Sequence, residues 1–446
     1  MPWLYEFRSS ETFIVLVVAI AIFTDTFIYG MVVPIIPVAL VERAGAREED
    51  AQSWVSIMLA VYGGTLLIGS PLFGWFADHT RFRRLPFIIG LIALGASTFL
   101  FVIARSMPIL IIARGLQGLS AAAVWVVGLA IVSDNVPTDR VGEATGYTTI
   151  ALTWGFLLGP TIGGIMYEKV GFYWTFAMPA ALIVVDVLLR FAMIEASEAT
   201  EHDRNMRAEN EHAPLLRSRS NESDTESTTE QPATIFDLLK SPRLPLACIA
   251  TLVMAVVFSA LETTLPLYVM ETFNWSSAGA GLIFVASSIP SFLGVHIGKM
   301  IPHLGVRLLA TSAFLVASIA WILMRLVTHS TTNDVILLTA LLLIEGLAIV
   351  TVEVTSTTEA SAVVADYEEE NPGVFGDKSP VAQAYALFNM AFAGGQLLGP
   401  ILAGGMRVHT GWSGMTLILG VICAVTAVPL GLFSGPRRRG GEVGGE

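Results

Sequence analysis

Charge is scarce in this sequence. Only 14% of its 446 residues are Asp, Glu, Lys or Arg, while 54% are hydrophobic. Soluble domains carry about 25% charged and about 45–50% apolar residues, so one ordinary soluble core of this length is excluded. Cysteine is nearly absent. Cys248 and Cys423 both sit in apolar runs, which argues against a disulfide framework or a metal site and for two small buried hydrophobes. Basic residues are in deficit: 25 Lys and Arg face 37 Asp and Glu, a net charge of −12. That balance excludes a nucleic-acid binder, which must neutralise phosphates. The seven His are scattered, and no nucleophile–base pair can be read. Enzymatic catalysis, a cofactor and a metal are therefore not expected.

What is present is apolar sequence in long blocks. A spanning helix takes roughly 20 mostly apolar residues. Twelve spans are expected, six in each half: 13–37, 54–76, 86–104, 109–132, 145–166 and 174–193, then 246–269, 278–298, 306–327, 335–357, 381–404 and 414–433. The first block is too long for a signal-peptide core and lacks a small-residue cleavage pattern, so it reads as a spanning helix that also targets the chain. The fold class is an all-α polytopic membrane protein. Two six-helix bundles, 1–194 and 244–434, flank a linker at 195–243, and a tail follows at 435–446. The linker is rich in Glu, Ser, Thr, Asn and Arg. Such a segment cannot offset the entropy of folding and is expected to be disordered, with 234–240 as a short surface helix.

Basic residues set the orientation. With the N-terminus in the cytosol, the outside holds only Arg43, Arg47, Arg105, Lys169, Arg325 and Arg407, and Arg114 lies within the membrane. The remaining Lys and Arg are cytosolic, as the positive-inside tendency requires. Both termini are then cytosolic. Much of the acidity falls in 195–243 and 366–378, on that same side, and says nothing about partners.

An internal repeat is visible. The fifth span contains Gly155, Gly159, Pro160 and Gly163; the eleventh contains Gly395, Gly399 and Pro400, each half sharing Leu-Leu-Gly-Pro in its fifth span. Repeated halves are a mark of secondary transporters, although small-residue faces also serve plain helix packing.

These residues resemble the major facilitator superfamily over nearly the whole chain. The 155–164 run is similar to its antiporter motif. Arg114, Gln117 and Gly118 are similar to its fourth-helix motif. Gly74 and Asp78 with Arg81, Arg83 and Arg84 resemble its loop motif after the second helix, although His79 replaces the usual Arg. Within the superfamily the twelve-span drug–proton antiporters fit best, close to the vesicular monoamine and acetylcholine transporters. Asp25 and the Pro34–Pro37 region resemble their first helix, Glu262 an acidic position in their seventh, and Glu353 an Asp in their tenth. Asn389 stands where their eleventh helix carries another Asp.

The resemblance implies a proton-coupled antiporter exporting an amphiphilic organic molecule. A charge inside a bilayer is costly and needs a reason. Asp25, Arg114, Glu262 and Glu353 are the proton-coupling candidates; each also has a structural alternative as a tie inside its bundle. Tyr29, Gln117, Glu345 and Asn389 are the expected cavity residues, Glu345 and Glu353 bordering one cavity. Tyr29, Trp125, Trp154, Tyr268 and Phe388 are an aromatic surface for an organic ligand or, alternatively, packing. Gly74, Asp78, Arg81, Arg83, Gly155, Gly159, Pro160, Gly163, Gly399 and Pro400 are assigned to gating and helix packing. Asp186 is expected to pair with Arg190, and Glu359 to be solvated.

The partners are a small organic substrate, protons and the lipid bilayer, with no nucleic acid, and the chain is expected as a monomer. Glu211, Leu215 and Leu216 resemble an acidic dileucine sorting signal, so a plasma-membrane and a vacuolar or vesicular address both stand. A vesicular-type amine transporter, a nutrient symporter and a non-transporting receptor or scaffold on the same fold are the alternatives.

Overall fold

Inside a bilayer no water satisfies backbone groups, so apolar runs coil into helices that bond to themselves. The computed structural model describes residues 5–79, 84–136, 141–194, 241–371 and 381–434, and all regular structure among them is helical. The principal helices are α1 (Glu11–Val32), α2 (Ala51–His79), α3 (Arg84–Ile103), α4 (Met107–Asn135), α5 (Val141–Val170), α6 (Ala177–Ala192), α7 (Arg243–Phe273), α8 (Ser277–Ser288), α9 (Val306–Met324) and α10 (Thr332–Glu370). A last stretch, Val381–Phe433, breaks at Gly411, where φ is 71°. That left-handed value ends one helix, α11 (381–410), and starts another, α12 (412–433).

Eleven stretches of the described residues are long and apolar enough to cross a membrane. The last, Leu387–Phe433, is 47 residues long and, divided at Gly411, supplies two crossings. Boundaries differ from expectation where proline intervenes. α1 stops at Val32, ahead of Pro34, and the chain restarts as a short helix, Ile36–Ala44. Proline has no N–H to donate and its ring crowds the preceding turn. The expected eighth span is interrupted by a 3-10 turn at Ile289–Leu293, which contains Pro290, before Gly294–Leu304 continues. α10 runs on to Glu370, well past the expected 357.

The described residues of Met1–Arg47 and Gly64–Ala233 pack as one unit; those of Glu48–Gly63 and Thr234–Glu446 pack as a second. α2 is thus shared, its opening turns in the second unit and its remainder in the first. The first unit has an apolar core of Ile14, Val18 and Ile22 from α1, Phe87 and Leu91 from α3, and Val124, Val127 and Ile131 from α4.

The repeated motif does one job in both units. In the first, α5 lies directly on α1: a Cβ on Gly155 would collide with Thr26 Oγ1, and one on Gly159 would fall 2.6 Å from the Phe27 carbonyl oxygen. Gly163 meets Met31, and Pro160 packs on Gly30. In the second, α11 lies on α7 in the same way. A Cβ on Gly395 would fall 2.6 Å from the Leu252 carbonyl oxygen, and one on Gly399 2.6 Å from that of Val256. Small residues are what let two backbones approach this closely in lipid.

Candidate functional site

Asp25 lies mid-way along α1 and is fully buried, as are its neighbours Thr24 and Thr26. Thr26 satisfies itself by donating to the Ile22 carbonyl at 2.8 Å. Neither Asp25 carboxylate oxygen has a hydrogen-bond partner among the described residues. The groups facing it are the Trp125 indole of α4 and the Asp186 carboxyl of α6.

Arg114 is fully buried on α4. Its Nη1 donates to Gln117 Oε1 at 2.6 Å, and its guanidinium carbon stands 5.3 Å from the Tyr29 ring centre. Tyr29 meets Phe156 edge-on at 6.0 Å. Asp25 and Tyr29 are four residues apart on α1, so they share a face about 6 Å apart along the axis. Arg114 therefore engages that face at Tyr29, and no ion pair joins it to Asp25. Gln117 serves Arg114 and is itself buried.

One expectation fails at α6. Asp186 and Arg190 have the spacing of a helical pair, yet both Asp186 oxygens lack a hydrogen-bond partner among the described residues. Arg190 instead donates to the Met193 sulfur at 3.5 Å and lies 5.3 Å from the Phe87 ring centre. Its long side chain points along the helix towards the C-terminal end, away from Asp186. Asp186 faces Thr24 and Asp25 instead. It belongs to the Asp25 site, which spacing alone concealed.

In the second unit, Glu262 is buried on α7, one turn before Pro266. Glu345 and Glu353 differ in burial. Glu345 is fully enclosed on α10, where it faces the Trp321 indole of α9 and Cys423 of α12. Glu353 is half-buried. α9 and α12 supply the groups that close over Glu345. Asn389 and Phe388 are half-buried on α11.

Glu359 is not solvated. It is buried and accepts from Arg243 Nε at 2.6 Å, while Arg243 Nη1 reaches Asp366 at 2.5 Å. The extension of α10 past the expected end carries both acids to the start of α7.

Within the aromatic set the rings have different surroundings. Tyr268 is stacked on Trp412 at 3.7 Å and donates its hydroxyl to the Val327 carbonyl, so that ring face is already occupied. Trp154 is exposed, and Trp125 is half-buried. Of the expected gating residues, Gly74 is half-buried, while Arg81, Arg83 and the Asp78 side chain lie outside the described residues, as does the dileucine segment. A cavity of about 740 Å³ beside α8 is lined by Trp275, Ile283, Thr339 and Leu343. None of the acidic candidates is among its lining residues.

Sequence reasoning missed Gln52 and Arg407. Arg407 Nη1 donates at 2.7 Å to both Gln52 Oε1 and the Thr264 carbonyl, and Nη2 pairs with Glu271 at 2.7 Å. Gln52 Nε2 in turn donates to the Thr263 carbonyl at 3.2 Å. Nothing local marks either residue, because the cluster joins segments far apart in the chain.

The sequence profile of the Major Facilitator Superfamily matches residues 18–376. An uncharacterized MFS-type transporter, C18.02, of Schizosaccharomyces pombe is 33% identical over 424 residues, covering 93% of this chain and 94% of that protein. A probable vesicular acetylcholine transporter-B of Danio rerio is 26% identical over 298 residues, covering 66% of this chain and 55% of its own. The solved structure of the human organic anion transporter MFSD10 (TETRAN) overlays with a TM-score of 0.63 at 16% identity, over 94% of this chain and 99% of that one.

Proposed function

This chain belongs to the major facilitator superfamily, and we propose that it is a proton-coupled antiporter exporting an amphiphilic organic molecule by alternating access. The reading rests on one observation above all: a fully buried Asp25 whose carboxylate has no hydrogen-bond partner among the described residues. A carboxyl held dry in one conformation and wetted in another changes its affinity for a proton between them. That difference is what a transporter needs to load a proton on one side and release it on the other. Glu262 or Glu353 supplies a second acidic group in the other half, and Arg114 with Gln117 and Tyr29 completes the polar face on α1 and α4. The halves 1–194 and 244–434 are the moving units, with both termini and the linker 195–243 in the cytosol and the chain acting as a monomer. The membrane is the plasma membrane or that of a vacuole or vesicle.

The test is export from loaded cells across a panel of amphiphilic compounds, followed by pH-gradient-driven uptake of the best compound into inside-out vesicles. Asp25→Asn is expected to abolish gradient-driven uptake while the protein remains folded. Normal gradient-driven uptake by that variant overturns the assignment.

A vesicular-type amine transporter is the second reading. The likeness to an acetylcholine transporter and the acids at 25, 262 and 353 favour it, and Asn389 counts against it. Preferential uptake of quaternary or protonated amines in the same panel would select it.

A further inference from the structure

Two buried carboxyls on two packed helices, Asp25 of α1 and Asp186 of α6, lie near enough to repel one another inside the first unit, and neither is ion-paired among the described residues. Asp25 is 0% exposed and Asp186 is 2% exposed. None of their four oxygens has a hydrogen-bond partner among the described residues. The Thr24 hydroxyl, likewise fully buried and unbonded, faces Asp186, and the Trp125 indole faces Asp25. Two basic residues stand on the helices packed against α1 at this level, and each has contacts of its own. Arg190 of α6 lies on Phe87 and Met193, and Arg114 of α4 lies on Tyr29 and Gln117. α5 meets α1 through Gly155, Gly159 and Gly163.

We propose that Asp186 is a second proton-carrying carboxyl, coupled to Asp25, so that the two helices hold one buried acid pair. This deepens the proton-coupled reading above and rests on it. Two ionised carboxyls in a dry site repel one another, so the pair gives up its protons in two linked steps. A hydroxyl donates and accepts at once. Thr24, next to Asp25 in the chain and facing Asp186, can accept a proton from one carboxylic acid while passing its own to the other carboxylate. The net charge of the pair is unchanged by that transfer. Asp186 stands one turn from Arg190, towards the end of α6 expected to be cytosolic. The pair thus extends the Asp25 site in that direction.

The experiment uses the purified full chain in liposomes, with the proton itself as probe. Infrared difference spectra between parent and variant follow the protonated-carboxyl stretch as pH is stepped. Asp186→Asn is expected to collapse two linked steps to one and to move the Asp25 midpoint by about one pH unit, a tenfold change in proton affinity. Asp25→Asn should do the reciprocal to Asp186, and Asp186→Glu should restore two steps. If Asp25→Asn removes a step but Asp186→Asn alters neither step count nor midpoint, Asp186 has a packing role only and the inference falls, with the role of Asp25 intact. If Asp25→Asn leaves the titration untouched, the reading of Asp25 itself falls. Should Asp186→Asn fail to fold, Asp186→Glu decides alone: its longer arm must move the Asp25 midpoint, and an unmoved midpoint overturns the inference.

Discussion

Arg407 donates at 2.7 Å to the side-chain oxygen of Gln52, a residue 355 positions earlier in the chain. The same guanidinium binds the Thr264 carbonyl and Glu271, and Gln52 binds the Thr263 carbonyl. These bonds fasten the opening turns of α2 to α7 and α11, within the second unit. The rest of α2 belongs to the first unit. Arg407 is the polar part of that attachment.

Arg407→Gln and Gln52→Ala are therefore expected to be non-additive. Residues in one hydrogen-bond network couple by about 0.5–3 kcal/mol, and the charge-assisted bond places this pair in the upper half of that range. Thermal unfolding of both single variants and the double variant in detergent measures the coupling. Simple additivity would show that the two side chains act independently.

Close helix contacts give a second expectation. Alanine at Gly159 or at Gly399 would drive a Cβ to within 2.6 Å of a carbonyl oxygen on the facing helix. Backbone cannot swing aside, and overpacking of this kind costs about 1–3 kcal/mol. Gly146, also in α5, has nothing within 4 Å of where its Cβ would be, so alanine there should be neutral or stabilise by up to about 1 kcal/mol. Melting temperatures of the three variants test the contrast. Equal behaviour of Gly159→Ala and Gly399→Ala would also confirm that the repeat performs the same contact in each unit.

Glu345 shares with Asp25 full burial and two carboxylate oxygens without a hydrogen-bond partner among the described residues, so its variants test whether that state alone marks a transport residue. It is enclosed with Trp321 and Cys423. Glu345→Gln keeps the volume and carries no charge into a dry interior, so its stability is expected to equal or exceed the parent's. Glu345→Ala leaves a void and should lose about 2 kcal/mol or more. Export by the Gln variant is expected to match the parent's. A large loss of export at unchanged stability would return Glu345 to the transport site.

The fold was legible because a bilayer leaves the chain few options. Apolar blocks of the right length must be helices, and the shared Leu-Leu-Gly-Pro of spans five and eleven exposed the repeat. The buried charges were legible for the same reason, since Asp25, Arg114 and Glu262 stand out against apolar flanks. Partners were not. Helical spacing suggested Asp186 with Arg190, but spacing fixes only the shared face; the direction of the Arg190 side chain is set by Phe87 and Met193 from outside the pattern. Glu359 looked solvated because nothing local shows that α10 continues to Glu370 and that Arg243 opens α7 beside it.

The Arg243 cluster contains two acids in different settings, which permits a controlled comparison. Glu359 has 3% of its side chain exposed and Asp366 has 52%, and both are bound by the same guanidinium. An exposed pair contributes about 0–1 kcal/mol, because water solvates the separated charges almost as well. Breaking a buried pair from one side costs about 3–5 kcal/mol, because the remaining charge is left without solvent or partner. Asp366→Ala is therefore expected to shift the melting temperature little. Arg243→Ala removes the guanidinium bound to the buried Glu359 carboxylate and should destabilise the chain, and adding Glu359→Gln to it should recover much of the loss. Recovery by the second substitution identifies the buried charge as the cause. Failure to recover would mean that Arg243 acts through packing of its aliphatic stem at the start of α7.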